Sequence, residues 1–464
     1  PWELGDQPLY EIAAAVWTPD GVLCDEASLR FGVRTLTLDA SAPIARVRVN
    51  SQKTIALRGV VWTPADTQDL AAEDDGATRI EMLLRCARDC RLNALRVWGG
   101  GLAESDLFYD LCDRLGFLGI QEFPLASDAQ RRTADDFLRN ASDTVTRLRS
   151  RPSLVAWAVG AGIRPGEPAE PSLARQLADL CDARDRRRPC ILESPPTGTA
   201  RVWVTRTDEA AHRTCWQSTA IPYLPGASSG DGGDTLWLSP TPLAAFQAAV
   251  ERHRLLGTSH VFWQLGEPMI SDSPAIINAA GRPRATYRVL RRATGSLGIF
   301  ADFAREAPTR LLAGEDLSGE VCVANENAAL RGAVASAAVL DRSLRVLASW
   351  RQPLDVPRGA VSRVLGFRWQ ADRALVGDVC FLRLRLDDRA GRPVAANLYA
   401  FGVAEPPDPA APPRLRVAWL TSKPSGLLAD AAFLAAARVE VVRPQRSPGE
   451  EGASLIQADV PDEG

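Results

Sequence analysis

At 464 residues the chain has room for roughly three domains of about 150 residues each. Apolar residues make up 46% and charged residues 24%, which excludes a disordered, collagenous or disulfide-scaffold chain. The net charge of −3, from 54 basic and 57 acidic residues, excludes a field strong enough to gather nucleic acid or an anionic membrane, so neither is an expected partner.

Lysine occurs only at Lys53 and Lys423, so arginine supplies nearly all of the positive charge. The nine cysteines are scattered, odd in number and without Cys-x-x-Cys spacing. Neither a zinc site nor a disulfide framework is expected, and a reducing cytosol suits them slightly better than periplasm or secretion. No apolar run approaches a membrane span, and the first residues lack a signal-peptide pattern. Because the chain opens at Pro1, a leader removed upstream is compatible with it.

Residues 1–54 read as strands: Pro8–Trp17, a turn at Pro19-Asp20-Gly21, then Leu29–Leu38. From Ala56 short apolar runs alternate with helical periodicity, the pattern of βα units around a parallel sheet. Expected strands are Ala56–Val61, Ala94–Trp98, Phe117–Gln121, Leu154–Val159, Pro189–Glu193 and His260–Leu265. Expected helices are Thr78–Cys90, Glu104–Leu115, Ala134–Arg149, Ser172–Ala183, Leu243–Leu256 and Pro283–Thr294. That count over residues 55–297 fits a (β/α)8 barrel better than an open dinucleotide sheet, and no Gly-x-Gly-x-x-Gly fingerprint is present. Gly99-Gly100-Gly101 follows a strand but has neither the spacing nor the lysine of a phosphate cradle. Between Ser194 and Trp237 the chain is rich in Gly, Ser and Pro, so this part of the barrel should be abbreviated.

Period-two alternation returns over residues 298–405 and predicts an antiparallel, immunoglobulin-like β-sandwich. A proline-rich linker follows at 406–413. Then Leu415–Leu420, Ala429–Ala437 and Val439–Val442 read as one β-α-β unit, which cannot bury both faces of its sheet alone. The expected organisation is a partial immunoglobulin-like sandwich, a TIM barrel, a second sandwich and a truncated unit at 414–464, as in a piece of a longer polypeptide.

Several motifs carry a resemblance. Leu57–Asp66 (Leu-Arg-Gly-Val-Val-Trp-Thr-Pro-Ala-Asp), Asn93–Gly101 (Asn-Ala-Leu-Arg-Val-Trp-Gly-Gly-Gly) and Phe108–Gly116 (Phe-Tyr-Asp-Leu-Cys-Asp-Arg-Leu-Gly) come first. Gln121-Glu122-Phe123, Arg151-Pro152-Ser153 leading to Trp157, Phe262-Trp263-Gln264-Leu265 and Gly281-Arg282-Pro283 follow in order. Together they resemble the first four barrel strands, the last strand and their helices in the β-mannosidase branch of glycoside hydrolase family 2. Pro1-Trp2, Gln7-Pro8-Leu9-Tyr10 and Arg30–Arg34 resemble the strands just before that barrel, so the likeness covers residues 1 to about 404.

The resemblance implies a retaining glycosidase without cofactor or metal, acting on an oligosaccharide or glycoside. One carboxylic acid protonates the leaving oxygen and a second carboxylate attacks the sugar, the two about 5–5.5 Å apart. The chain departs from the family at both positions. The acid/base place, five residues beyond Trp157, holds Gly162, preceded by Ala161 where the family has Asn. The nucleophile place, three residues before Trp216-Gln217-Ser218, holds Arg213. Arg96 stands where the family keeps an arginine beside the nucleophile, and Arg213 in the same mouth would repel it, so an acid should compensate. Candidates are Glu122, Glu193 and Glu267 near strand ends, and Glu167 in the loop after strand four.

Trp62, Trp98, Trp157 and Trp263 either floor a sugar subsite or fill the barrel's upper layer. Their position in motifs at the catalytic face favours the sugar floor. With them, Asp66, Arg96, Trp216 and Gln264 make the expected substrate-binding set. Glu193 and Glu267 serve more simply as partners for arginine than as relocated acids. His212, His253 and His260 share no metal-ligand spacing, and His253 falls on a helix expected to be exposed. Ser194, Ser218 and Ser239 lack a nucleophile elbow.

Three readings follow. The first is a degenerate β-mannosidase-like protein that binds or scaffolds carbohydrate. The second is an active exo-β-glycosidase with relocated carboxylates. The third is a relic packing surface with a blocked mouth.

Overall fold

The computed structural model of the chain describes residues 1–39, 46–50, 53–65, 73–124, 134–159, 171–191, 217–219, 240–257, 259–262, 264–267, 275–304, 308–406, 439–442 and 455–458. The first strands, β1 (Tyr10–Trp17) and β2 (Leu23–Phe31), form an antiparallel ribbon whose residues are exposed along almost its whole length. Strands β3 (Leu36–Asp39), β4 (Arg46–Val49) and β5 (Lys53–Ile55) make an antiparallel meander. Two residues flanking the ribbon tie it down. Trp2, fully buried, donates its indole N–H to the Asp113 carbonyl at 2.8 Å. Arg34 lies over the Trp2 ring and donates to the carbonyls of Pro152 and Leu154.

A parallel sheet follows. Its strands are β6 (Arg58–Trp62), β7 (Ala94–Val97), β8 (Leu118–Phe123), β9 (Leu154–Val159), β10 (Cys190–Ile191), β11 (Gln217–Thr219) and β12 (His260–Phe262). They run in the order β10-β9-β8-β7-β6-β12-β11 with every neighbouring pair parallel. Eight strands closed into a barrel were expected; among the described residues there are seven, and the sheet does not close. The three-residue strand β11 carried no signal in the residue pattern. Helices α1 (Glu73–Asp89), α2 (Asp106–Leu115), α3 (Ala134–Leu148), α4 (Pro171–Arg184), α5 (Pro240–Leu256) and α6 (Ala285–Ala293) alternate with the strands. None among the described residues is long and apolar enough to cross a membrane.

The helices follow local rules. Helix α3 spaces Phe137, Ala141, Val145 and Leu148 three or four residues apart, which puts them on one buried face. Helix α2 carries Asp106 in its first turn and ends on Gly116 at φ +78°, where only glycine is free of strain and its N–H caps the Cys112 carbonyl.

Strand alternation divides the sheet into two sides. Val60, Trp62, Leu95, Val97, Phe123 and Trp157 share the main core with helix residues such as Leu83, Leu84, Phe108 and Val145. Ala94, Leu118, Ile120, Ala156 and Ala158 belong to a second, smaller cluster with Trp2 and Leu57. Arg96 and Glu122 have the same strand parity as that second set.

The remaining strands form a two-sheet sandwich. One sheet is β13 (Leu297–Phe303), β15 (Asp316–Asn325) and β18 (Ala360–Gln370), in that order. The other runs β14 (Arg310–Leu312), β20 (Pro393–Ala404), β19 (Val379–Asp387), β16 (Leu330–Leu340), β17 (Val346–Val356). Between them lie Val321, Val323, Ala335, Val339, Leu382, Leu384 and Phe401. The expected all-antiparallel pairing needs one correction: β14 runs parallel to β20, as a three-residue edge strand.

Helix α5 packs on the sandwich through a buried polar seam. Glu251 accepts from Tyr399 Oη at 2.7 Å, Asn397 Nδ2 at 2.7 Å and Gln247 Nε2 at 3.1 Å. Burial drives the Glu251 carboxyl up to about 7, against the pull of these donors and of Arg292. Of the expected terminal unit, residues 415–420 and 429–437 lie outside the described residues. β21 (Val439–Val442) pairs antiparallel with β22 (Leu455–Ala458).

Candidate functional site

In a parallel α/β sheet, side chains that can meet a ligand collect beyond the carboxyl ends of the strands. Here Arg96 on β7 and Glu122 near the end of β8 occupy that place. Their ion pair is direct: Arg96 Nε and Nη2 each stand 3.1 Å from Glu122 Oε2. The Glu122 side chain is fully buried and that of Arg96 is 14% exposed. Glu122 Oε1 is buried without a hydrogen-bond partner among the described residues. A buried carboxylate oxygen of this kind is costly unless a donor reaches it.

The glycine run after β7 shapes this end of the sheet. A Cβ on Gly99 would stand 2.8 Å from Glu122 Cγ and 2.7 Å from the Phe123 carbonyl oxygen. One on Gly100 would fall 2.1 Å from the Trp98 ring, and one on Gly101 2.8 Å from Pro64. These glycines let the backbone lie against Glu122, Trp98 and Pro64, so their spacing answers to packing and not to phosphate.

Two of the expected sugar platforms are elsewhere. Trp62 is 1% exposed, packs on Phe108 at 4.6 Å and donates its indole N–H to Glu104 Oε1 at 2.7 Å. Burial raises the Glu104 carboxyl, with the Trp62 donor opposing. Trp157 is fully buried, stacks on Phe123 at 5.6 Å and donates to Asp185 Oδ2 at 3.1 Å. Both face the helices because their strand parity is opposite to that of Arg96 and Glu122, a signal present in the alternation itself. Trp98 has the parity of Arg96 and is half-buried.

Glu267 is committed. Its Oε2 accepts from Arg284 Nη2 at 3.0 Å and from the Ala279 N–H at 3.1 Å, and both side chains are almost fully buried. Gln264 is buried beside it, its carbonyl accepting from Ile276 N at 3.0 Å. The structure thus pairs Arg96 with Glu122 and sets Glu267 in a separate arginine pair. Asp66, Gly162, Glu167, Glu193, Arg213, Trp216 and Trp263 lie outside the described residues, as does Ala161.

Other matched motifs hold the fold. Asp113 of the α2 motif accepts from the Ser153 N–H at 2.9 Å and faces Arg151, which also reaches Asp106 and Asp110. Burial raises the Asp113 carboxyl against these donors. His253 needs a correction: expected on an exposed helix face, it is 8% exposed and its ring lies 4.8 Å from that of His260. Helix α5 covers the sheet with one face and the sandwich with another, which leaves little of it for solvent.

No protein-family model matches the chain. The β-mannosidase of Capra hircus is 32% identical over 236 residues, 43% of this chain and 26% of that protein. The β-mannosidase of Mus musculus is 43% identical over 108 residues, 22% of this chain and 12% of that protein. β-Mannosidase B of Thermothelomyces thermophilus is 33% identical over 168 residues, 34% of this chain and 19% of that protein. The chain thus matches about a quarter or less of the length of these relatives. Among solved structures, the exo-chitosanase CsxA of Amycolatopsis orientalis aligns at TM-score 0.63 and 17% identity, over 86% of this chain and 55% of that one. The β-D-mannosidase from Dictyoglomus thermophilum aligns at TM-score 0.62 and 17% identity, over 86% and 57%. These structural likenesses carry the fold, and the sequence matches show that part of the chain is similar to β-mannosidases.

Proposed function

We propose that the chain binds carbohydrate at the C-terminal end of its parallel sheet and does not hydrolyse it. The sheet in this reading is part of a closed (β/α)8 barrel at 55–297, between immunoglobulin-like sandwiches at 1–54 and 298–405. The observation that carries the reading is the buried Arg96–Glu122 pair, in which Glu122 Oε1 lacks a described donor. A sugar hydroxyl supplies such a donor while Arg96 holds the other carboxylate oxygen, and Trp98 offers an aromatic surface at the end of the same strand. The missing chemistry rests on Gly162 and Arg213 in the family's two carboxylate places. Double displacement needs both carboxylates within a few ångströms. Glu122 and Glu267 are each held by an arginine, Arg96 and Arg284, in separate ion pairs.

The test is a calorimetric titration with mannose, glucosamine and their β-linked disaccharides, beside turnover assays on aryl β-glycosides. Saturable binding without turnover is expected, with Glu122→Gln weakening it by roughly tenfold or more, the worth of one charge-assisted hydrogen bond. Turnover abolished by Glu122→Gln or Glu193→Gln would make the protein an active exo-β-glycosidase with a relocated carboxylate. Folded protein that binds no sugar would leave the relic packing surface.

A further inference from the structure

At the opposite end of the sheet, where β6 and β12 begin, a cavity of about 180 Å³ lies between the sheet and the sandwich. Its polar lining includes Arg58, His253, Arg254, His260, Asn325 and Glu326. Arg58 and His260 are cross-strand neighbours, so the parallel register itself puts them on the same edge. His253 reaches the cavity from α5 and stands against His260.

The charge is unbalanced. Arg58 Nη1 and Arg91 Nη1 share the single Glu326 carboxylate, each at 3.4 Å, longer than the 2.7–2.9 Å of a tight charge-assisted bond. Arg254 donates to the backbone carbonyls of Ala293 and Gly295. Two guanidinium groups therefore share one carboxylate, and a third, that of Arg254, lines the same cavity as Arg58 and Glu326. Burial lowers Arg254 to about 10, with Arg58 and Arg91 adding to the effect and Glu326 opposing it.

We propose that this cavity binds a small tetrahedral oxyanion of the phosphate or sulfate class. Its volume is well above the ~30 Å³ share of one water and below the ~300 Å³ at which sites for drug-sized ligands begin, so it suits an ion with its hydration. Arg58 at the rim and Arg254 at the wall would supply the charge. The ion would join β6, α5 and the sandwich at a point where the protein's own charges do not cancel. The site is separate from the sugar mouth, and its test does not depend on the reading of that mouth.

The experiment is calorimetric titration of the full chain with inorganic phosphate and with sulfate, against sodium chloride at equal ionic strength. One saturable site is expected for both oxyanions and none for chloride. Arg58→Gln, at a side chain one-third exposed, should weaken binding about tenfold. Glu326→Gln removes the competing carboxylate and should tighten it several-fold, while Glu122→Gln at the far end should leave it unchanged. The proposal is overturned if chloride gives the same heat, or if phosphate affinity ignores both Arg58→Gln and Glu326→Gln in protein whose circular dichroism is unaltered.

Discussion

Two buried carboxylates, one in the sheet and one at the seam, are solved in opposite ways. Glu122 meets a guanidinium at 3.1 Å. Among the described residues Glu251 meets a phenol and two amides, with Arg292 acting on it only through space, and burial drives it up to about 7. The first arrangement fixes a charge near the carboxyl ends of the strands, where a ligand can use it. The second holds a group that changes its proton near neutral pH, at a place where two layers meet. Burial alone therefore does not say what a glutamate does; the charge of its nearest partner does.

The largest effect should come from Arg96→Gln, which strands the Glu122 charge in the core and should cost about 3–5 kcal/mol in denaturant unfolding. A loss below about 1 kcal/mol would mean that Glu122 finds another donor. Next is the pH dependence of the seam. Glu251 has a folded pKa above its ordinary value of 4.5, so its stabilising contribution is complete below that value and lost as pH rises through about 7. The loss should be on the order of 3 kcal/mol, and Glu251→Gln should flatten that part of the unfolding curve. Gly99→Ala, which drives a methyl into the Phe123 carbonyl and Glu122 Cγ, should cost about 1–3 kcal/mol by overpacking and weaken sugar binding with it. Tyr399→Phe removes one donor to Glu251 and the acceptor of the Ala301 N–H. It should cost about 1–2 kcal/mol, more at pH 8 than at pH 5. Smallest is the exposed Glu81–Arg85 helix pair, where Arg85→Ala should change stability by about 0.5 kcal/mol or less.

Much of this was legible in the residues. Periodicity placed β9 at Leu154–Val159 exactly and each of the six helices within a few residues, because long amphipathic runs have few alternatives. β11 has no period to read in three residues, and only the resemblance, through Trp216-Gln217-Ser218, points to a strand there. The parity of Trp62 and Trp157 was readable but was outweighed by their place at strand ends, and their indole N–H groups proved to serve Glu104 and Asp185. The Glu251 seam was invisible for a different reason. Gln247, Glu251, Asn397 and Tyr399 look like ordinary surface residues on a helix and a strand some 150 positions apart. Only their tertiary meeting makes them a core.

The anchors on either side of the β1–β2 ribbon have a consequence for how the chain breaks. Trp2 is held beneath α2, and Arg34 on the turn before β9. The ribbon between them presents Ile12, Val16, Trp17, Leu23 and Leu29 to solvent, and a protease should find it first. A cut there releases nothing: both new ends stay docked on the body. Nicked protein should run as two pieces on a denaturing gel and elute as one from a sizing column, with the short piece leaving only when the whole unfolds.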